Sequence, residues 1–161
     1  MEIERKWSME RAPDLPVRCH LRVEQSYLSL SPEVRIRRYE DLERAGAVSF
    51  DLTIKSDGTL AREEVIKELT EEEYHVLASL LKLPPIVKDY TNYEMGGYVL
   101  EFSVVDPGRP GGFSYAEVEF PTLEEAERFQ APEWFGREMT YETPYKMKNY
   151  WRDTRLKGEA I

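Results

Sequence analysis

Carboxylates and cations recur through this chain at a two-residue spacing. Glu2-Ile3-Glu4-Arg5-Lys6 opens it, and Arg35-Ile36-Arg37, Lys55, Arg62-Glu63-Glu64, Lys88 and Glu117-Val118-Glu119 follow. In an extended backbone, residues i and i+2 share a face. Glu2, Glu4 and Lys6 therefore point one way, and Arg5 the other. Arg-x-Arg and Glu-x-Glu place like charges about 7 Å apart on one face, where they repel unless a counter-ion lies between them. Glutamate oxygens suit a hard cation such as Mg²⁺ or Mn²⁺. Arginine and lysine suit phosphate oxygens, arginine in bidentate fashion. The chemistry that needs both is binding of a polyanion with a divalent metal, which bridges phosphate oxygens and can position or acidify a water.

The elements that would carry these residues are mostly short strands. Strands are expected at 2–7, 22–29, 33–39, 49–55, 61–68, 87–94, 98–105 and 115–120. Asp57-Gly58 and Gly96-Gly97 read as hairpin turns, and Asp106 to Gly112 as a longer loop. One helix opens at Thr70 with Glu73 three residues on, a capping box, and carries Tyr74, Leu77, Leu80 and Leu81 on one face. A second opens at Thr122 with Glu125 in the same relation, carries Ala126 and Phe129, and ends before Pro132. Short helical pieces are expected at 134–138 and 145–151.

The charged positions alternate with apolar ones: Val34 and Ile36 oppose the arginines, Leu52 and Ile54 oppose Lys55, and Val118 and Phe120 oppose Glu117 and Glu119. On any single strand such a charged face would simply meet water. Repeated on six strands, with helices that need an apolar sheet face to cover, the pattern turns the charges inward. The expected fold is α+β, mainly β: an eight-stranded antiparallel closed barrel with covering helices. A two-sheet α+β sandwich is the structural alternative. A dry interior lined with lysine, arginine and glutamate would be prohibitively costly, so the interior is expected to be a wet tunnel.

The bulk properties agree. At 161 residues the chain is expected to form one domain spanning 1–161. Its 41% hydrophobic and 33% charged content suits a globular chain. The apolar runs fall far short of the ~20 residues that cross a bilayer. No signal segment opens the chain, since Glu2 and Glu4 stand where one would turn apolar. The single Cys19 cannot form an internal disulfide, which suits a reducing cytoplasm. The net charge of -9 argues against a nucleic-acid partner. A small-molecule partner and a monomer or homodimer are expected.

These residues, taken in order, resemble the CYTH-domain proteins, also called triphosphate tunnel metalloenzymes. The resemblance runs to about Tyr150: Glu2-Ile-Glu4-Arg-Lys6 has the Glu-x-Glu-x-Lys signature, and Arg35-Ile-Arg37, Leu52-Thr-Ile-Lys55, Arg62-x-Glu64, Lys88, Ala116-Glu117-Val-Glu119 and Pro132-Glu-Trp134-Phe-Gly136 follow in the family's order. It implies an eight-stranded tunnel that binds triphosphate. It implies metal-side carboxylates at Glu2, Glu4, Glu117 and Glu119, with Glu64 as a further acidic wall residue. It implies phosphate-side cations at Lys6, Arg35, Arg37, Lys55, Arg62 and Lys88. Glu2, Glu4 and Lys6 would form the catalytic opening. The implied activity is Mg²⁺- or Mn²⁺-dependent hydrolysis of the terminal phosphoanhydride of tripolyphosphate, thiamine triphosphate or a nucleoside triphosphate. The alternatives are a polyphosphate- or nucleotide-binding module with little catalysis, and a class IV adenylyl cyclase.

The chain departs from the family pattern at several places. Ile66 stands for a glutamate, Tyr90 for an arginine, Ser103 for an aspartate with Leu100 for a tryptophan, and Pro144 for an arginine before Tyr145. Lys146 or Lys148 could replace a lost phosphate donor. Other reactive residues carry little: His75 reads as solvent-facing on its helix, His20 lies in a basic stretch from Arg18 to Arg22, Cys19 reads as a part-buried filler, and Gly108 to Gly112 is too broken by proline for a phosphate loop. Trp134 and Phe135 read as anchors of core or loop, and Tyr27, Tyr90 and Tyr93 as barrel wall or tunnel lining.

Overall fold

The computed structural model describes residues 1–158. Nine strands form one antiparallel sheet: β1 (Glu2–Ser8), β2 (Val17–Leu30), β3 (Glu33–Asp41), β4 (Val48–Lys55), β5 (Ala61–Arg62), β6 (Glu64–Glu68), β7 (Ile86–Met95), β8 (Tyr98–Val105) and β9 (Phe113–Glu119). Their order is β5-β1-β9-β8-β7-β2-β3-β4-β6. The two edges, β5 and β6, are separated in the chain by Glu63 alone, so the sheet bends round into a nearly closed barrel. The expected single strand over 61–68 is split because it changes partner. Arg62 pairs with Glu2 on β1, and Glu64 pairs with Lys55 on β4. This split accounts for nine strands where eight were expected.

Gly96 and Gly97 form the two-residue turn between Met95 and Tyr98, with φ of 51° and 87°, as a type I′ hairpin requires. Asp57-Gly58 is not such a turn. It lies in the connection from β4 to β5, where a Cβ on Gly58 would sit 2.5 Å from the Ala61 carbonyl oxygen.

Helix α1 (Glu71–Leu81) has the expected capping box between Thr70 and Glu73. Tyr74 is buried against the Phe50 ring, but Leu80 is 69% exposed and off the packed face. Helix α2 (Leu123–Arg128) is capped by Thr122 and buries Ala126. Phe129 caps its end and packs on Trp7, Tyr98, Phe120 and Phe135.

The expected helix over 134–138 is absent. This segment instead runs alongside the end of β1: the Ser8 amide donates to the Arg137 carbonyl, the Met139 amide to the Lys6 carbonyl, and the Gly136 amide to the Ser8 carbonyl. A Cβ on Gly136 would lie 2.3 Å from Ser8 Oγ, so the close approach needs glycine. Arg5 points outward, as expected, and clamps this segment through Glu138 and the carbonyls of Ala126 and Phe129. The chain then makes a 3₁₀ turn (Thr143–Tyr145), helix α3 (Met147–Trp151) and a π-helical turn (Arg152–Leu156).

Two cores result. The outer one packs Ile3, Trp7, Leu100, Phe102 and Val118 beneath α2 and Phe135. The other closes one end of the barrel, where Met147, Tyr150 and Trp151 meet Tyr27, Ile86, Val105 and Tyr115. Among the described residues, no helix is long and apolar enough to cross a membrane.

Candidate functional site: a charged cavity inside the barrel

The inner strand faces enclose a cavity of about 430 Å³. The alternation read from the sequence places its walls. Glu2, Glu4 and Lys6 come from β1, Arg35 and Arg37 from β3, Lys55 from β4, Arg62 from β5, Glu64 from β6, Lys88 from β7, and Glu117 and Glu119 from β9. Lys146 and Lys148 reach in from the C-terminal segment. Every site residue expected from the sequence therefore lines one space. What they do within it differs from wall to wall.

The first wall is cationic. Arg35 and Lys88 are buried, and Lys88 Nζ donates to Tyr115 Oη at 2.7 Å. Lys6 Nζ lies 4.4 Å from the Tyr115 ring centroid and donates to the Tyr145 carbonyl. The Nε groups of Arg35 and Arg37 are buried without a hydrogen-bond acceptor. Burial drives Lys88 well below the usual lysine range, and Arg35, Arg37 and Lys6 push the same way against the pull of Glu117. Such crowded donors call for an anion.

The second wall is the barrel seam, and here cations are already paired. Lys55 Nζ is 3.0 Å from Glu2 and 4.0 Å from Glu64, and Arg62 reaches Glu33 at 3.2 Å and Glu2 at 3.7 Å. These contacts tie β1, β3, β4, β5 and β6 across the closing edge.

The third group is acidic. Carboxylate oxygens of Glu4, Glu101 and Glu117 all lie within 4.8 Å of one another. Strand register builds the group: Glu101 on β8 is opposite Glu117 on β9, and Glu117 is opposite Lys6 on β1, two residues from Glu4. Burial, then the charges of Glu117 and Glu2, hold Glu4 well above the usual carboxylate range. Burial pushes Glu117 up too, but Lys6, a hydrogen bond with Glu4, and Lys88 outweigh it and hold Glu117 low. Burial and Glu117 raise Glu101 to about 7.

The donor set fits a hard divalent cation. All three ligands are oxygens, and oxygens around an octahedral Mg²⁺ at ~2.1 Å would stand about 2.9–4.2 Å apart. Two carboxylates in hydrogen-bond contact need either a proton or a cation between them.

Glu101 was not among the expected site residues. It has no second glutamate two positions away; it keeps the glutamate of the resembled family's Trp-Glu-x-Asp strand, between the departures at Leu100 and Ser103, and strand register gives its neighbours. Two expected metal-side glutamates lie outside the trio. Glu2 is engaged by Lys55 and Arg62, and Glu119 stands in a more open part of the wall, raised by burial and by Glu2 and Glu64. Glu33, which neutralises Arg62, and Tyr115, which joins Lys6 to Lys88, were also missed.

Lys146 donates to the Gly58 carbonyl at 2.5 Å, and Lys148 lies 3.7 Å from Asp57, so both flank the cavity beside Arg62. Of the tyrosines, Tyr27 and Tyr90 line the cavity while Tyr93 packs into the outer core. His20 bonds Asp89 on the surface, and Cys19 is a half-buried free thiol.

No protein-family model matches the chain. It is 28% identical over 151 residues to an inorganic triphosphatase of Nitrosomonas europaea, spanning 91% of this chain and 94% of that protein. The crystal structure of an inorganic triphosphatase superposes with a TM-score of 0.62 at 23% identity, over 93% of both chains. A Pyrococcus horikoshii OT3 protein superposes with a TM-score of 0.56 at 18% identity, over 79% of this chain and 82% of that one. The structural likenesses show the same fold.

Proposed function

We propose that this chain is a divalent-metal-dependent triphosphatase of the CYTH, or triphosphate tunnel, type, cleaving the terminal phosphoanhydride of inorganic tripolyphosphate or a related triphosphate. The observation that carries the proposal is one cavity in which a wall of buried cations, with the Nε groups of Arg35 and Arg37 lacking hydrogen-bond acceptors, faces a three-carboxylate group. The similarity to an inorganic triphosphatase across nearly the whole chain supports it.

The chain's own residues would divide the work. Arg35, Arg37, Lys6 and Lys88 grip the phosphoryl oxygens, with the free Nε groups of the arginines offering bidentate contacts. Phosphoryl transfer consists mostly of positioning and charge stabilisation, and burial makes each of these cations count for more than it would in water. Lys55 and Arg62 stand ready on the adjoining wall, each able to share itself between its glutamate and a phosphate oxygen. Tyr115 fixes Lys6 and Lys88 at one level. Glu4, Glu101 and Glu117 would hold Mg²⁺ or Mn²⁺. That ion would neutralise phosphate charge and supply an acidified water. Glu2 and Glu119, expected as ligands, take supporting places, Glu2 as the anchor of Lys55.

One feature favours a second reading, a triphosphate-binding module with little turnover. Ile66 and Tyr90 place uncharged side chains on the cavity wall, and Ser103 is buried on the same face of β8 as Glu101. Phosphate release from tripolyphosphate, ATP and thiamine triphosphate with Mg²⁺ or Mn²⁺ decides between them. Turnover that disappears in Glu4→Ala supports the hydrolase. Tight tripolyphosphate binding without turnover supports the module, and absence of both overturns the proposal.

A further inference from the structure

The inward carboxylates of the barrel are balanced in two ways. Glu2, Glu33, Glu64 and Asp51 each lie within 4.0 Å of a lysine or arginine nitrogen. Among the described residues, no such nitrogen lies that close to Glu101. Its Oε1 instead accepts a hydrogen bond from the phenol of Tyr90.

The contact is set by the sheet. Tyr90 on β7 is in register with Ser103 on β8, so it lies diagonally across from Glu101 on the same inner face. On its other side Tyr90 is in register with Leu21 on β2, which also lines the cavity. Register thus places the ring on the inner wall, and the hydroxyl holds one carboxylate oxygen.

We infer that Tyr90 is a positioning residue that aims Glu101 at Glu4 and Glu117 without adding a positive charge beside the group that would hold a divalent cation. A phenol is a neutral donor; a guanidinium here would form a charged pair and compete with the cation. Carboxylates held by a neighbouring donor bind metal in a set orientation, and loss of such a donor weakens binding by roughly 10–100-fold. The inference rests on the metal-binding reading of the three carboxylates.

The test measures Mn²⁺ binding to the full chain without substrate, by calorimetry and by the EPR signal of free Mn²⁺. Tyr90→Phe should raise the Mn²⁺ Kd about tenfold, with an unchanged circular dichroism spectrum. At saturating Mn²⁺ it should leave the KM for tripolyphosphate within about twofold. Tyr90→Arg should also weaken Mn²⁺ binding, although it adds a cation facing the phosphates. The inference is overturned if Tyr90→Phe binds Mn²⁺ as the wild type does, or if it raises the tripolyphosphate KM with no change in Mn²⁺ affinity. Glu117→Gln separates the two levels. If it abolishes Mn²⁺ binding while Tyr90→Phe has no effect, only the role of Tyr90 fails. If the wild type binds no Mn²⁺, or Glu117→Gln binds it normally, the metal-binding reading fails and the role of Tyr90 with it.

Discussion

Two buried acidic centres in this protein are built in opposite ways. Asp106, at the end of β8, accepts Arg155 Nη1 at 2.6 Å and Nη2 at 2.9 Å, Tyr150 Oη at 2.6 Å and the Val87 amide at 3.0 Å. Arg155 spends further donors on the carbonyls of Pro84 and Pro85. Glu4, Glu101 and Glu117 share one space with each other and have a cationic wall nearby, but no cation within 4.0 Å of Glu101 or Glu117 among the described residues. A buried acid whose lone pairs are all answered belongs to the fold. A group of acids left facing one another is what a site for a missing charge looks like. The first centre fastens the C-terminal segment that closes the barrel end, and the second lies in the cavity that this closure shields.

The sharpest way to break the comparison is to remove one partner from each centre. Arg155→Ala leaves Asp106 buried and unpaired, and should cost about 3–5 kcal/mol in urea unfolding. Glu101→Gln should leave the metal-free protein as stable as the wild type, or more so, because burial and the charge of Glu117 already disfavour the ionised Glu101. Equal destabilisation by both variants would erase the distinction.

The next effect belongs to the cationic wall. Arg35→Ala should lower kcat/KM for tripolyphosphate by about 10²–10³-fold, equivalent to roughly 2.7–4 kcal/mol.

The two centres should also answer pH with opposite signs. Burial pushes Asp106 up, but Arg155, Tyr150 and the Val87 amide outweigh it and hold it below the usual range. Its contribution is present above the unfolded value of about 3.9 and is lost only as pH falls through its lower folded value. Glu101 is raised from 4.5 to about 7, chiefly by burial and then by Glu117. The folded state then holds more protons than the unfolded chain, so stability falls as pH rises across that window. Across pH 5 to 8 (about the window of that shift) metal-free wild type should therefore lose Tm relative to Glu101→Gln, and Mn²⁺ should restore the wild type at the upper end. A wild-type Tm that rises relative to Glu101→Gln over this range without metal would count against the shared acidic site.

Much of this was legible in the chain because strand geometry is simple. Alternation at i and i+2 places Glu2, Glu4, Lys6, Arg35, Arg37, Glu117 and Glu119 on inner faces without knowledge of which strands adjoin. Adjacency is what the pattern lacks. Glu101 has no like-charged neighbour along its strand, and its carboxylate partners become visible only when β8 is set beside β9. Glu63 reads as one more strand residue, although the chain changes partners there. A helix over Trp134 to Glu138 fails because Gly136 is fitted against Ser8 and Glu138 is held by Arg5 beside β1. The latch of Asp106 and Arg155 joins residues 49 apart in sequence, with no motif to announce it.

The smallest effect serves as the reference. Arg18 and Glu94 form an ion pair at 3.4 Å with both side chains more than half exposed. Glu94→Gln should change stability by less than about 0.5 kcal/mol and leave turnover unaltered. A larger change would mean that exposed pairs cannot serve as the baseline for the buried ones.

The central claim, that the unanswered charges in the barrel await a metal and a triphosphate, is tested most directly by a crystal structure with Mn²⁺ and tripolyphosphate. The account predicts an anomalous manganese peak bounded by Glu4, Glu101 and Glu117, with phosphate oxygens on Arg35, Arg37 and Lys88. Manganese at Glu2 and Glu119 instead, or tripolyphosphate bound only on the outer surface, would contradict it.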